Sequence, residues 1–531
     1  MIQHAKASGR LKTTGVMQTL SGLSGRLSQG ESDSTLPPGG SSEARGGWDS
    51  FCRSPKHRAT NKCRLSLRES SVSPLFRGAK GDTKKQHDAN LKRGFFFNSI
   101  CLDAIMAKYV LAGWLLSSIY LGSNCELVSA HDQIPGAPQK QPIAIVGATV
   151  HTISGRSIEN GTVVFVAGRI TAVGKGVEVP EGSEVIHAEG KHVYPSLIDA
   201  NSDIGLVEVN SIRATIDSRE TGNINPNVRA VAAFNPDSEL IPVNRANGVL
   251  IAVSAPAGGL VAGRSAVMML DGWTWEDMTL KADAGMHVRW PREAGKDLKE
   301  LDELLEQTAR YVASRKVSAS LPMDLRLESL ARVLDRSLPM IVDATSVTQI
   351  ESAVAFAEQR KLKLVIHGGY EAVHCAELLT KADVPLIVSG VYRIPSGRDN
   401  PYDEAYTLPK RLRDAGIKFC ICSGGRFGAS GLRNLPYHAA TASAYGLSQE
   451  EALKAITLHA AQILGVADRV GSLATDLDAT LFIADGNILE TETQVEQAFV
   501  QGRRVDLDNR HHQLYRKYSA KYDQLAEETK E

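Results

Sequence analysis

Cysteine is thinly spread through this chain: seven in 531 residues, at positions 52, 63, 101, 125, 375, 420 and 422. Only the last three fall in the part that reads as folded, and an odd, scattered set is not a disulfide framework. Cys420 and Cys422 share a strand face but are too few to close a zinc site, so they read as buried free thiols. Net charge is missing as well, with 60 basic and 60 acidic residues. The balance is uneven: +9 over residues 1–105 and −9 over 106–531. A mildly acidic body excludes nucleic acid as its main partner. No apolar run is long enough for a stable membrane span. What remains, 43% apolar and 23% charged residues, is the composition of an ordinary globular protein. The length allows two domains, or one large barrel with additions.

Residues 1–105 lack any sustained apolar period. The stretch 32–47, SDSTLPPGGSSEARGG, cannot bury enough surface to offset chain ordering. This extension reads either as disordered or as the product of a start placed too early. Met106 begins a different pattern, with basic Lys108, a short apolar run, and Val128, Ser129 and Ala130 at a cleavage-type site. That layout predicts a secretory signal peptide over 106–130, and hence export to the periplasm or the extracellular space.

After a proline-containing linker, short β runs are expected at 143–150, 162–166, 169–173 and 184–188. Ala167-Gly168 reads as a hairpin turn. Eight further apolar runs alternate with helical stretches, at 197–200, 249–254, 266–270, 286–290, 340–344, 363–367, 385–389 and 418–422. Such alternation predicts a parallel sheet, and eight strands fit a (β/α)8 TIM-type barrel. A last helix over 508–531, with Leu514, Tyr518 and Tyr522 along one side, is expected to pack on the barrel.

The chemistry concentrates first at Tyr194-Pro-Ser-Leu-Ile-Asp-Ala-Asn-Ser-Asp-Ile-Gly-Leu206. Residues two apart on a strand point the same way, so Asn201 shares a face with both Asp199 and Asp203. This stretch resembles the first barrel strand of the amidohydrolase superfamily, in particular its imidazolonepropionase-like branch, where it reads roughly Pro-Gly-Leu-Ile-Asp-x-His-x-His. His367-Gly-Gly, Arg433-Asn-Leu-Pro436 and Val470-Gly-Ser-Leu473 extend the resemblance over 142–505. It implies a small β-sandwich built from both chain ends, 142–192 and 466–507, beside a barrel over 193–465.

The resemblance also implies a metal site at the C-terminal ends of the strands. Its ligands are two histidines on strand one, often a modified lysine on strand four, histidines on strands five and six, and an aspartate on strand eight. Carried over strand by strand, these positions hold Asn201 and Asp203, no lysine but Arg289 nearby, Asp343, His367, and Ser423-Gly424. His367 alone matches. Asp203, Asp343 and His367 together make the three protein ligands a catalytic ion needs. The site is therefore expected to hold one divalent ion, zinc or a harder one, or none. His367, Asp343 and Ser423 are the candidate catalytic residues.

Asn201 is a candidate substrate-binding residue, with Arg264 in a glycine-rich segment and Trp273 in Asp271-Gly-Trp-Thr-Trp-Glu276. These supply what a small polar ligand needs at a barrel mouth, although the glycine-rich segment lacks phosphate-loop spacing. Structural roles compete for the same residues: Asp343 as a helix cap, His367 as a core histidine, Asp203 bonded to a loop amide. Three readings stay open. The first is an exported hydrolase of carbon–nitrogen bonds in cyclic-amide or dipeptide-like substrates, with an altered metal site. The second is a metal-free enzyme with His367 as base. The third is a non-catalytic barrel that binds a small molecule. A homo-oligomer is open in each.

Overall fold

The computed structural model describes residues 134–293, 295–318, 320–424 and 428–528. The expected extension and signal peptide lie outside them. Among the described residues, no helix is long and apolar enough to cross a membrane.

Five strands precede the barrel: β1 (Ile143–Val150), β2 (Ile158–Val166), β3 (Arg169–Gly174), β4 (Glu184–His187) and β5 (His192–Pro195). The barrel strands are β6 (Leu197–Ser202), β7 (Val249–Ser254), β8 (Val261–Met269), β9 (Thr279–Arg289), β10 (Met340–Ala344), β11 (Leu364–Gly368), β12 (Leu386–Ser389) and β13 (Phe419–Cys422). Three more follow, β14 (Leu481–Ala484), β15 (Val495–Val500) and β16 (Arg503–Val505).

Strands β6 to β13 pair in chain order, and their apolar runs fill one continuous core. The fold is a TIM-type barrel with a sheet domain beside it. It departs from the expected all-parallel pattern at one strand. β8 is antiparallel to both β7 and β9. The cause is loop length: residues 255–260 separate β7 from β8, and a parallel crossover takes roughly a dozen residues or more. Connection 270–278, with its one-turn helix Trp275–Met278, is too short as well. Strands two to four of the barrel are therefore a meander. Its close packing needs Gly285, where a side chain would overlap Ile341.

The flanking sheet runs β16-β15-β14-β5-β1-β2-β3, so strands from either side of the barrel in sequence sit in one sheet. The first half of β1 pairs with β4 and its second half with β5. The expected sandwich is thus a single branched sheet, holding a core of Ile145, Val163, Phe165, Ile170, Leu481 and Phe499. The β2–β3 hairpin turns at Ala167 and Gly168, with φ of 48° and 80°, the paired positive values that fit the twist of a two-residue hairpin.

The C-terminal helix is Arg510–Glu528. Asn509 caps it, its Oδ1 accepting from the amides of His511 at 2.9 Å and His512 at 3.2 Å. Of the side expected to pack on the barrel, Leu514 is half-buried, while Tyr518 and Tyr522 are 49% and 66% exposed.

Candidate active site

Seven barrel strands, β6, β7 and β9–β13, run in one direction and end at a common mouth. β8 begins there. Between them lies a cavity of about 280 Å3, lined among others by Asn201, Asp203, His287, Arg289, Asp343 and His367. A larger groove of about 970 Å3 lies where strands begin, against Leu364, Pro385 and Lys418. It contains none of these residues.

Asp343 and His367 are register partners at the ends of β10 and β11. His367 Nδ1 lies 2.6 Å from Asp343 Oδ1. Burial works to raise the Asp343 carboxyl, but the hydrogen bond and charge of His367, with Arg289 alongside, hold it below the usual carboxylate range. Its carboxylate nonetheless faces the open cavity, the side chain being 53% accessible. On the other side of the ring, His367 Nε2 is 3.3 Å from Asn201 Nδ2. An amide nitrogen there donates to Nε2 and leaves the ring proton on Nδ1, facing Asp343. Asn201 Oδ1 is buried without a partner among the described residues. Gly368, with φ of 98°, turns the chain away just after His367; a side chain there would press on Thr345.

Beneath this pair sits His287, a residue the sequence reading passed over. It is buried, its Nε2 has no partner among the described residues, and burial pushes its imidazole down to about 4. The signal was available: it stands two residues before Arg289, on the same strand face and inside the expected run 286–290, where only a lysine was sought.

Asp199, part of the quoted motif yet given no role, is also completely buried. Its Oδ2 accepts from the Ser423 amide at 2.7 Å and its Oδ1 from the Asn201 amide at 3.0 Å. Burial pushes its carboxyl up to about 6 against these hydrogen bonds. Ser423 is thereby tied to Asp199 through its backbone, and its side chain is almost fully enclosed.

The expected ligand set does not assemble. Asp203 Oδ1 accepts from the Ala429 amide at 2.5 Å, at the start of the 3-10 helix Gly428–Asn434. Gly428 lies so close that a side chain there would strike the carboxylate. His367 Nδ1 is taken by Asp343. Among the described residues, no three of His, Cys, Asp and Glu are grouped to hold an ion. The metal that the fold family implies therefore does not fit the residues present.

Two expected binding residues also lie elsewhere. The Arg264 guanidinium reaches Asp283 at 3.2 Å, which also meets Arg332 at 2.5 Å. Trp273 is 67% exposed, in the turn after β8. Because β8 runs backwards, that turn is at the far end of the barrel from the mouth.

The amidohydrolase family profile matches residues 347–505. The crystal structure of an amidohydrolase from Thermotoga maritima MSB8 superposes with a TM-score of 0.62 and 25% identity, covering 68% of this chain and 99% of that one. The profile match and the fold together are similar to those of the amidohydrolase superfamily. Amidohydrolase tasK of Hapsidospora irregularis is 21% identical over 423 residues, or 71% of this chain. The chain spans 42% of the length of that relative. On this scaffold an aspartate–histidine pair stands at the mouth, with Asn201 where the resemblance leads one to expect the first histidine of strand one.

Proposed function

We propose that the chain is a hydrolase of carbon–nitrogen bonds in small cyclic-amide or dipeptide-like substrates, using the Asp343–His367 pair in place of a metal-bound water. The observation that supports it is the 2.6 Å contact between His367 Nδ1 and Asp343 Oδ1 in a cavity of substrate size. Asp343 fixes the ring tautomer and stabilises the imidazolium. Nε2 takes a proton from a water molecule whose oxygen adds to the amide carbonyl carbon. The proton then passes to the departing nitrogen as the carbon–nitrogen bond breaks. General acid–base catalysis of this kind contributes about 10²–10⁴-fold. Asn201 Nδ2, which donates to Nε2 in the free chain, is placed to turn toward the developing oxyanion. The pattern at 106–130 supports an exported location for this activity.

A second reading is favoured by the Asn201–His367 contact itself. An amide that occupies Nε2 suits a barrel that binds a small molecule without turning it over. A panel of cyclic amides and blocked dipeptides separates the two. Turnover by the parent chain that is lost in His367→Ala, with metal content below stoichiometric by mass spectrometry, supports the hydrolase. Binding without turnover supports the second reading, and stoichiometric metal that His367→Ala removes overturns both.

A further inference from the structure

Arg264 does not line the cavity, and the cluster it joins outside is unbalanced. Its Nη1 reaches both carboxylate oxygens of Asp283, at 3.2 and 3.3 Å, and its Nη2 donates to the Asn227 carbonyl. Its Nε is buried with no partner among the described residues. Two more guanidiniums converge on the same carboxylate. Arg332, on the helix Leu325–Leu334, lies at 2.5 Å, and Arg229, just before the one-turn helix Ala230–Ala233, at 3.9 Å. Neither has another ion-pair partner among the described residues.

Three guanidiniums on one carboxylate leave an excess of two positive charges. The centre of the cluster is nearly closed to water, the Arg264 and Asp283 side chains being 12% and 13% exposed, so the repulsion is only partly screened. Burial pushes the Arg264 guanidinium below its ordinary value, and Arg229 and Arg332 add to that push against the pull of Asp283. The outer two are open, at 41% and 38%, which leaves their unused N–H groups within reach of a solute.

We infer that this cluster binds a phosphoryl group, as inorganic phosphate or as a phosphate monoester, held by Arg229 and Arg332 beside the Arg264–Asp283 pair. A nitrogen of each outer arginine lies within 3.9 Å of the one carboxylate, so a single tetrahedral anion can accept from both. The planar fork of arginine suits such an anion. Charge favours phosphate over a carboxylate. A phosphate carries about −1.5 to −2 near neutral pH, which matches the excess, whereas a carboxylate leaves one charge unmatched. The strands that carry Arg264 and Asp283 also supply Ala262, His287 and Arg289 to the cavity, so a bound phosphate braces one cavity wall from outside.

Isothermal titration calorimetry on the full chain tests the site, with inorganic phosphate in one arm and glycerol 3-phosphate in the other, at an ionic strength held constant with chloride. The expected result is one site per chain with Kd of about 1 mM or tighter, weakened at least tenfold in Arg229→Gln/Arg332→Gln and at least threefold in Arg332→Gln alone. Whichever ligand binds more tightly identifies the source of the phosphoryl group. Melting supplies a second readout: phosphate at about ten times its Kd should raise the melting temperature of the parent chain and not that of the double variant, whose own transition shows that it is folded. No binding in either arm, binding indifferent to both variants, or acetate binding as tightly as phosphate overturns the assignment.

Discussion

The carboxylate of Asp199, on the first barrel strand, accepts a hydrogen bond of 2.7 Å from the backbone amide of Ser423, just past the last strand. These two residues are 224 positions apart and meet where β6 and β13, the two ends of the strand order, come together. The same carboxylate accepts from the Asn201 amide. One buried aspartate thus ties the barrel seam to the strand end that holds Asn201 against His367.

Asp199→Asn should destabilise the protein by roughly 1–3 kcal/mol, because one of the two amides then faces an NH2 group instead of an acceptor. The pH dependence has a definite sign. Folding raises this carboxyl from 3.8 to about 6, so its contribution to stability is full below 3.8 and is lost as pH rises through 6. The deficit of the variant should be larger at pH 4 than at pH 7 in urea titrations. Equal deficits at the two pH values would show that folding leaves the Asp199 carboxyl unshifted.

Acid should unfold the protein through its imidazoles. Burial pushes His287, His151 and His438 each from 6.5 to about 4, with His192 adding to the shift at His151. His438 Nδ1 also accepts from the Val391 amide. Folded values below the unfolded ones give stability that is present above pH 6.5 and lost as pH falls through 4. Set against the proton Asp199 releases, unfolding near pH 5 should take up about two protons from these four groups, or about 2–3 kcal/mol per pH unit. Denaturant midpoints between pH 4.5 and 6 measure the slope, and His287→Gln should reduce it by about one proton.

In the proposed hydrolase, His367→Ala should lower kcat/KM by about 10²–10⁴-fold, and Asp343→Asn by a smaller factor, since its amide oxygen can still face Nδ1. Asp343→Asn should keep the parent melting temperature within a few degrees, because Asp343 is open to solvent. A pair of merely structural importance would show the opposite balance.

Asp203→Ala tests the reassigned role of that residue. Loss of the bond to the Ala429 amide should cost about 1–2 kcal/mol and leave the metal content of the purified chain unchanged. Metal that disappears with Asp203 would restore it as a ligand.

How much of this was legible in the sequence depended on whether the determinant was local. All eight barrel strands could be located from their apolar runs, because a strand buried on both faces is written as a continuous run of Val, Ile and Leu. Asp343 and His367 could be read from their positions at two such strand ends. Direction was not legible for β8: periodicity does not encode it, and only the shortness of connection 255–260 revealed the reversal. That single error moved Trp273 to the wrong end of the barrel. Asp203 went astray for another reason. A carboxylate at a strand end serves a backbone amide as readily as a cation, and the amide it serves, that of Ala429, is 226 residues away.

The reversal of β8 bears on how the barrel is built in time. A parallel barrel strand gains its partners only after a long crossover has closed. β7, β8 and β9 instead fold back through turns of a few residues, so their pairing costs little loop entropy and can precede the rest. The seam between Asp199 and Ser423 spans most of the barrel sequence and carries a larger loop-closure cost. The meander thus gives one flank of the cavity pairings of low loop-closure cost, whereas the Asp343–His367 flank depends on longer crossovers.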